Sequence, residues 1–387
     1  MSIDTSALNT FLQQKLTCSS ISLIRVDIPQ KETFKSGIGI RKSREALLIE
    51  WITPDGVKGY GECSCRPDPF YSDEFTDSSI QLIKKFVAPL LKVEQTLAQF
   101  MEGMGKIRGW HFTKAAVEAA AINVIEQQSG LSVLDALSGI KPLSEVPVGI
   151  SMGIFSEFEK MRQKVAHSIE EEYSRLKFKI SPETDIGFFD QINPILLSSG
   201  RVISFDANGS FGINDLDKLA YFVNTYDAVI EQPFSPGRYD VLLKAKKELP
   251  KLRICFDEEI KTIGDLIKLH HLGVLDEVNL KPGRVGGVLN SIEIIDYCEQ
   301  HNIPCWIGGM FETGIGRTLN LRIASYLPNA RAHDLSPSNR YFEEDILAPD
   351  IRMNKGLVDI EGLSECRIVP ASIDKFTIER HTINAAS

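Results

Sequence analysis

The first 145 residues mix two hydrophobic patterns. Alternating or continuous β-rich runs precede the turn Pro54-Asp55-Gly56, and another follows it, which predicts a hairpin because proline fixes φ and glycine accepts positive φ. Later apolar positions recur with helical spacing. The predicted elements are strands at Ser20–Ile28, Ala46–Ile52 and Val57–Cys63, helices at Ser78–Leu91 and Thr113–Gln128, and a mobile surface loop at Lys31–Ser43. These elements predict an α+β domain over residues 1–145.

From Val146 onward, short apolar runs alternate with amphipathic helical segments. Strands that alternate with helices indicate parallel βαβ units, and eight such strands predict a (β/α) barrel over residues 146–335. The runs are VGISMGIF, RLKFKI, VISFDANGS, AVIEQP, RICFDEEI, EVNLKPG, IPCWIGG and RAHDL. Residues 336–387 contain no further unit. We expect this tail, with a short strand at Lys375–Ile378, to return to the first domain.

Polar residues recur at the ends of successive predicted strands. They follow one another at intervals of 27, 25, 26 and 24 residues, one βα unit each time, and they are Lys179, Asp206, Glu231, Asp257 and Lys281. The carboxyl ends of barrel strands converge on one mouth, where barrel active sites lie. The sequence therefore predicts three carboxylates at this mouth, between two lysines.

The three carboxylates favour a divalent cation. As isolated residues they would be ordinary solvated strand ends, but three on consecutive strands would repel one another without compensation. Carboxylate oxygens alone are typical ligands of Mg²⁺, with Mn²⁺ as a substitute. We therefore expect Asp206, Glu231 and Asp257 to hold a magnesium ion.

The lysines suit proton transfer. Lys177 and Lys179 alternate with apolar residues, so they share one strand face. A lysine with a lowered pKa can remove a proton next to a carboxylate while a metal ion offsets the developing charge. Lys179 alone would support elimination, whereas Lys179 and Lys281 together would support racemisation. The pattern leaves both reactions open.

Composition narrows the class of protein. The 387 residues carry a net charge of −9, which argues against a nucleic-acid partner. The cysteine count is seven, an odd number in a long chain, and the Cys63-Ser64-Cys65 pair lacks a second pair at zinc spacing, so we expect thiols rather than disulfides or a zinc site. Neither a secretory signal nor a membrane span is apparent, and we expect a cytoplasmic protein.

These motifs resemble the muconate-lactonising subgroup of the enolase superfamily. The resemblance rests on order and spacing along nearly the whole chain, in Lys177-Phe178-Lys179, Asp206-Ala207-Asn208, Glu231-Gln232-Pro233, Asp257-Glu258 and Lys281. Within the subgroup, three stretches resemble the o-succinylbenzoate synthases: Gly59–Glu74, Gly308–Arg317 and Asp334–Ile346.

The resemblance implies a (β/α)₇β TIM-like barrel with an α+β capping domain. It implies Lys179 as the acid/base, Lys281 as the lysine on the opposite face of the substrate, and Lys177 as an assistant at the substrate carboxylate. The implied substrate is a small carboxylate with a succinyl tail, in menaquinone biosynthesis, and a homo-oligomer is compatible with it. The residues expected to bind substrate are Ser151, Asn208, Arg284, Gly308, Gly309 and Met310.

Four positions depart from the family pattern, and three alternatives remain, of which the third is another reaction of the muconate-lactonising subgroup. Glu259 stands where serine is usual, Met152 stands where isoleucine or valine is usual, and the Cys63/Cys65 pair stands where small residues are common. The first alternative is an N-succinylamino acid racemase or a bifunctional enzyme, for which Arg284 would tune Lys281. The second is a non-catalytic barrel that binds a ligand, against which the full set of ligands and lysines argues.

Overall fold

The computed structural model describes residues 3–36, 39–137, 141–330 and 332–385. Its strands are β1 Lys15–Thr17, β2 Ser20–Ser36, β3 Gly39–Ile52, β4 Lys58–Cys63, β5 Glu94–Thr96, β6 Glu145–Pro147, β7 Gly149–Met152, β8 Arg175–Lys179, β9 Val202–Asp206, β10 Val229–Glu231, β11 Arg253–Phe256, β12 Glu277–Leu280, β13 Cys305–Ile307, β14 Leu347–Ala348, β15 Met353–Asn354, β16 Leu357–Asp359, β17 Arg367–Ile368 and β18 Thr377–Asn384.

The α-helices are α1 Thr5–Leu12, α2 Thr76–Leu82, α3 Leu97–Gly105, α4 His111–Ser129, α5 Phe158–Glu170, α6 Ile186–Ser198, α7 Leu216–Tyr226, α8 Tyr239–Glu248, α9 Ile263–His271, α10 Pro282–Val285, α11 Val288–Gln300, α12 Gly314–Ala324 and α13 Pro370–Phe376. The helix predicted at Ser78–Leu91 is present as α2 followed by a π-turn and a 3₁₀-turn, which end at Leu90. No helix among the described residues is both long enough and apolar enough to cross a membrane.

The N-terminal part is built on a four-stranded antiparallel sheet with the order β18-β2-β3-β4. The predicted turn joins β3 and β4, and Gly56 takes the positive φ of 86° that it was expected to supply. The tail strand β18 pairs along β2. The predicted strand at Lys375–Ile378 is correct only for its last two residues, because Lys375 and Phe376 end helix α13 and β18 begins at Thr377. The C-terminal tail therefore completes the sheet that the N-terminal residues begin.

The loop predicted at Lys31–Ser43 is wrong for the described part of that segment. Residues 31–36 and 39–43 belong to the paired strands β2 and β3, while 37 and 38 lie outside the described residues. The glycines and cations were read as loop signals, but ladder pairing overrides such local preference. The backbone N–H of Lys31 also donates to the carbonyl of Tyr341, which ties the base of this extension to the C-terminal tail.

Helix α4 packs closely against the sheet because β4 carries glycine where the helix crosses it. A Cβ atom on Gly61 would lie 2.0 Å from the carbonyl oxygen of Ala116, and one on Gly59 would lie 2.4 Å from that of Ala120. Alanines on the helix and glycines on the strand thus allow the two backbones to approach. The helix ends at Gly130, whose φ of 71° is the left-handed conformation of a glycine cap.

Seven parallel strands form the second sheet, with the order β13-β12-β11-β10-β9-β8-β7. Parallel bridges join Val148 to His333 and Gly308 to Asp334, so residues 333–334 lie between the two edge strands and close the barrel. Each strand is followed by at least one helix. The chain thus has the predicted (β/α)₇β barrel, although the eighth run is reduced to single bridges and its Arg331 lies outside the described residues.

The barrel strands separate an apolar outer face from a polar interior. Phe178 points outward and packs against Phe189 of α6 and Phe205 of β9, with ring centroids 5.4 Å and 6.0 Å away. Alternation along β8 then directs Lys177 and Lys179 to the other face. The burial of the aromatic side chains outside therefore fixes the register that brings the lysines inside.

Candidate active site

A cavity at the carboxyl ends of the barrel strands is covered by residues from the N-terminal part. The lining includes most of the predicted site residues and side chains from three separate regions of the chain. It consists of Arg66, Tyr71, Ser151, Lys177, Lys179, Asp206, Asn208, Lys281, Gly309, Met310, Phe311, Arg317, Asp334 and Tyr341. The sequence-predicted lysines and the first predicted carboxylate therefore share one enclosed space.

Asp206, at the end of β9, is held by lysines from β8. Its Oδ2 lies 2.6 Å from Nζ of Lys179 and 3.5 Å from Nζ of Lys177. Strand register explains the contact, because Lys179 and Asp206 are directly opposed in the parallel pair. Burial alone would raise the pKa of Asp206, but the two lysines hold it below its ordinary value.

Glu231, at the end of β10, lies level with Asp206 and is fully enclosed. Its Oε2 lies 2.7 Å from Nζ of Lys177, and its Oε1 accepts a hydrogen bond of 2.7 Å from Nδ2 of Asn279. Burial and the charge of Asp206 raise the pKa of Glu231 to about 8, against the opposing effect of Lys177. The negative charge of nearby Asp206 thus makes the ionised form of Glu231 less stable.

Asp257 follows β11 and is fully buried. Its Oδ2 accepts from Nζ of Lys281 at 2.9 Å, and its Oδ1 pairs with Nη2 of Arg284. The hydroxyl of Tyr71 lies 3.3 Å from both Nζ of Lys281 and Nη1 of Arg284. Burial opposes the charge on Lys281, yet Asp257 raises the pKa of this lysine above its ordinary value.

The three carboxylates fit a hard divalent cation in the chemistry of their oxygen atoms. Each carboxylate is buried, and each lies at or just after the end of one of three adjacent strands. The atoms that they offer a metal ion are all oxygen. Within the described residues, no three His, Cys, Asp or Glu side chains are grouped as a formed metal site. The ammonium and guanidinium partners occupy the carboxylate oxygens, so a cation would bind by exchange with them.

The predicted substrate-binding residues divide into two groups. Ser151, Asn208, Gly309 and Met310 line the cavity. Gly308 and Arg284 lie outside the lining: a Cβ on Gly308 would lie 2.0 Å from Oδ1 of Asn279, and Arg284 is buried beside Asp257.

The four positions that depart from the family pattern lie away from the cavity. Glu259 turns from it, because its carboxylate accepts from the hydroxyl of Tyr239 and, at 2.9 Å, from the backbone N–H of Gly237. Cys63 and Cys65 are buried thiols with their sulfur atoms 3.5 Å apart. Met152 is buried in the core. None of the four positions contributes to the lining among the described residues.

Four further side chains belong to this centre and were missed. Asp334 pairs with Nζ of Lys177 and lies 3.4 Å from Nη2 of Arg175, and Glu258 accepts 2.9 Å from Nδ2 of Asn208. Asn279 and Tyr71 complete the set. Period-two alternation from Lys281 would have found Asn279, and the end of the eighth run would have found Asp334. Tyr71 comes from a distant segment, so no local signal marks it.

Comparison with known proteins agrees with this architecture. The chain is 33% identical over 341 residues to an o-succinylbenzoate synthase of Listeria innocua, covering 87% of this chain and 90% of that protein. It is 33% identical over 343 residues to an N-succinylamino acid racemase of an Amycolatopsis species, covering 86% and 89%.

A solved structure of an enolase superfamily member from Listeria innocua superposes with a TM-score of 0.86 at 31% identity, over 95% of this chain and 99% of that one. Residues 160–364 match the family described as enolase C-terminal domain-like, a range that contains seven of the eight barrel strands and all three predicted metal ligands. The chain therefore belongs to the enolase superfamily.

Proposed function

We propose that the chain catalyses the magnesium-dependent syn dehydration of 2-succinyl-6-hydroxy-2,4-cyclohexadiene-1-carboxylate to o-succinylbenzoate, the reaction of o-succinylbenzoate synthases in menaquinone biosynthesis. Asp206, Glu231 and Asp257 are the proposed metal ligands, and Lys179 is the proposed acid/base.

One observation carries the choice of substrate class. The three stretches that resemble o-succinylbenzoate synthases are far apart in sequence, yet each contributes to the same cavity. The first contributes Arg66 and Tyr71, the second Gly309, Met310, Phe311 and Arg317, and the third Asp334 and Tyr341. The resemblance is thus concentrated around the cavity, where it bears on the substrate as well as on the fold.

The chemistry requires removal of a weakly acidic proton next to a carboxylate. When bound, the magnesium ion supplies positive charge to the substrate carboxylate and so offsets the charge that develops as the proton leaves. In the proposed step the unprotonated amine of Lys179, which faces the cavity beside Asp206 and Asn208, takes the proton and becomes an ammonium. The resulting ammonium returns it to the departing hydroxyl group, water leaves, and the ring becomes aromatic.

Two other lysines have supporting roles. Lys281 comes from β12, across the carboxylates from β8, so its ammonium stabilises the charged intermediate from the opposite side. Lys177 lies between Glu231 and Asp334. Burial would lower the pKa of Lys177, but these two acids outweigh that effect and raise the pKa well above its ordinary value. It therefore stays charged and stabilises the substrate carboxylate.

The second candidate is N-succinylamino acid racemisation, alone or alongside dehydration. The observation that favours it is the shared environment of Lys281 and Arg284, which both contact Asp257 and Tyr71. A guanidinium that competes for the same carboxylate weakens the hold of Asp257 on the Lys281 ammonium. Lys281 would then release its proton more readily, as two-base chemistry requires.

The experiment is proton exchange in D₂O with Mg²⁺, comparing the cyclohexadiene substrate with an N-succinylamino acid. Fast dehydration with negligible α-proton exchange is expected for a dedicated synthase in which Lys281 acts electrostatically. Comparable rates of both reactions would establish the bifunctional alternative. If neither substrate reacted, the proposed activity would be wrong.

A further inference from the structure

Arg66 is a cation of the cavity for which the proposed chemistry has no use. It belongs to the segment between β4 and α2, it is only 5% exposed, and it lines the same cavity as the lysines. The backbone of Arg66 is held in place by a 3.0 Å hydrogen bond, which its carbonyl accepts from the N–H of Thr76. The N-terminal part of the chain thus contributes a buried positive charge to the space between the two domains.

The guanidinium is held so that part of it stays available. Its Nε and Nη2 donate to the two carboxylate oxygens of Asp68, each at 2.9 Å. This two-point contact orients the guanidinium. Its third nitrogen, Nη1, donates to none of the residues that the structure describes. A fixed arginine with unused N–H groups is well suited to bind a carboxylate, since little conformational entropy remains to be lost.

The other cationic side chains that line the cavity contact carboxylates of the barrel. Lys177, Lys179 and Lys281 each lie in ion-pair contact with a buried carboxylate. Arg317 lies 3.0 Å from Oε2 of Glu312 and donates to the carbonyl of Asp334. They serve the reacting end of the substrate or the barrel wall, and the cavity has Arg66 for a second anionic group.

We infer that Arg66 binds the free carboxylate at the end of the succinyl tail and makes the site selective for dicarboxylates. This inference rests on the proposed function, because both candidate substrates carry one carboxylate at the reacting centre and another at the tail. A tail carboxylate in an enclosed cavity needs a charged partner, and arginine supplies matched N–H donors. The two ends of the ligand would then contact the barrel and the N-terminal part.

The experiment compares binding of two ligands that differ only in the tail charge, in the presence of Mg²⁺. They are o-succinylbenzoate and 2-butanoylbenzoate, in which a methyl group replaces the tail carboxylate. We expect the wild-type protein to bind o-succinylbenzoate roughly tenfold to a hundredfold more tightly. In Arg66→Met this preference should fall to about threefold or less, with the affinity for 2-butanoylbenzoate retained, and in Arg66→Lys it should be intermediate.

A matched control is Arg340→Met, because Arg340 lies near the cavity and donates to the carbonyl of Ser151 at 3.2 Å without lining the cavity. This variant should keep the preference. If the Arg66–Asp68 pair only stabilised the segment, Arg66→Met would weaken both ligands equally and the preference would survive, which would overturn the inference. Absence of any preference in the wild-type protein would overturn it too.

The outcomes separate the inference from the proposed activity. Binding needs no turnover, so a protein that prefers the dicarboxylate through Arg66 but does not dehydrate the cyclohexadiene substrate would refute the proposed activity alone. A protein that dehydrates its substrate but shows the same preference with and without Arg66 would refute the inference alone.

Discussion

Buried carboxylates occupy two regions of this molecule, and the two regions stabilise them by different means. At the barrel mouth, Asp206, Glu231 and Asp257 contact lysine, arginine and asparagine side chains. At the junction between the N-terminal part and the barrel, buried glutamates accept from backbone N–H groups at the first turns of helices. Glu62 also accepts from the hydroxyl of Thr313 and lies 3.8 Å from Arg44.

The junction glutamates join parts of the chain that are distant in sequence. Glu118 on α4 accepts from the N–H groups of Val288 and Leu289, at 2.5 Å and 3.3 Å, at the start of α11. Glu62 on β4 accepts from the N–H groups of Thr313 and Gly316, each at 3.1 Å, at the start of α12. Burial raises the pKa of Glu62 to about 7 and that of Glu118 to about 8.

The two kinds of hydrogen-bond donor suit different roles, one structural and one chemical. Backbone donors at a helix start cannot move without unfolding the helix, so Glu62 and Glu118 are permanent attachments. Side-chain ammonium groups can rotate away, and the proposed function requires this movement, because the carboxylates would exchange them for a metal ion and the lysines would transfer protons. Mutations in the two regions should therefore damage different properties of the protein.

The largest expected effect is on catalysis, from Lys179→Met. Without the amine the proton has no acceptor, so kcat for dehydration should fall by roughly a thousandfold, while the thermal midpoint of unfolding stays near that of the wild type. Single-turnover kinetics and calorimetry would measure the two properties. Lys244→Met, at an exposed lysine of α8, is the matched control. Activity within tenfold of the wild type would remove Lys179 from the acid/base role.

The next effect is on stability, from Glu118→Ala. The backbone N–H groups of Val288 and Leu289 would lose their acceptor in a buried place, which should cost about 1–3 kcal/mol of unfolding free energy. The kcat of the folded enzyme should stay within about twofold, because Glu118 does not reach the cavity. Urea denaturation gives the first quantity, and Glu248→Ala at the surface is the control. A large loss of kcat with unchanged stability would contradict the structural role assigned to Glu118.

A smaller effect concerns pH. In the unfolded chain the Glu118 carboxyl releases its proton near its ordinary pKa of 4.5, but in the folded protein burial holds the proton until about pH 8. Between these values the folded state binds more protons, so its stability falls as pH rises. Glu118→Gln should lessen that fall, and its stability relative to the wild type should therefore be higher at pH 8 than at pH 5. Identical pH profiles of unfolding would contradict the assignment.

The smallest effect is expected from Glu259→Gln, although this residue lies two positions from Asp257. Its carboxylate binds the Tyr239 hydroxyl and the Gly237 N–H, away from the cavity. We expect kcat and the affinity for Mg²⁺ to change less than about twofold. Steady-state kinetics at several Mg²⁺ concentrations would check it, and a tenfold change would show that this acid reaches the metal ions or the substrate.

Sequence periodicity was sufficient for the barrel and for the residues at its strand ends. One βα unit repeats every 24 to 27 residues, and strands that end together bring their last residues together, so Lys179, Asp206 and Lys281 were found from spacing. Local sequence signals failed for Lys31–Ser43, where the described residues 31–36 and 39–43 belong to two long strands whose stability depends on their pairing.

Other features depended on contacts between distant segments. Tyr71 reaches Lys281 from a segment 210 residues earlier in the chain, and Glu118 caps a helix 170 residues away, so neither partner is encoded in a local pattern. The charge of Lys281 also depends on such a contact, because buried Asp257 raises the pKa of this lysine against the opposing effects of burial and of Arg284.

The central claim is that the carboxylates at the barrel mouth exchange their ammonium partners for a metal ion. Titration calorimetry with Mg²⁺ on the wild-type protein and on Asp206→Asn tests it most directly. We predict one saturable magnesium site in the wild type and at least about a hundredfold weaker binding in a folded Asp206→Asn variant, since one charged ligand is lost. Equal Mg²⁺ affinity in the two proteins, or no binding to the wild type, would contradict the account.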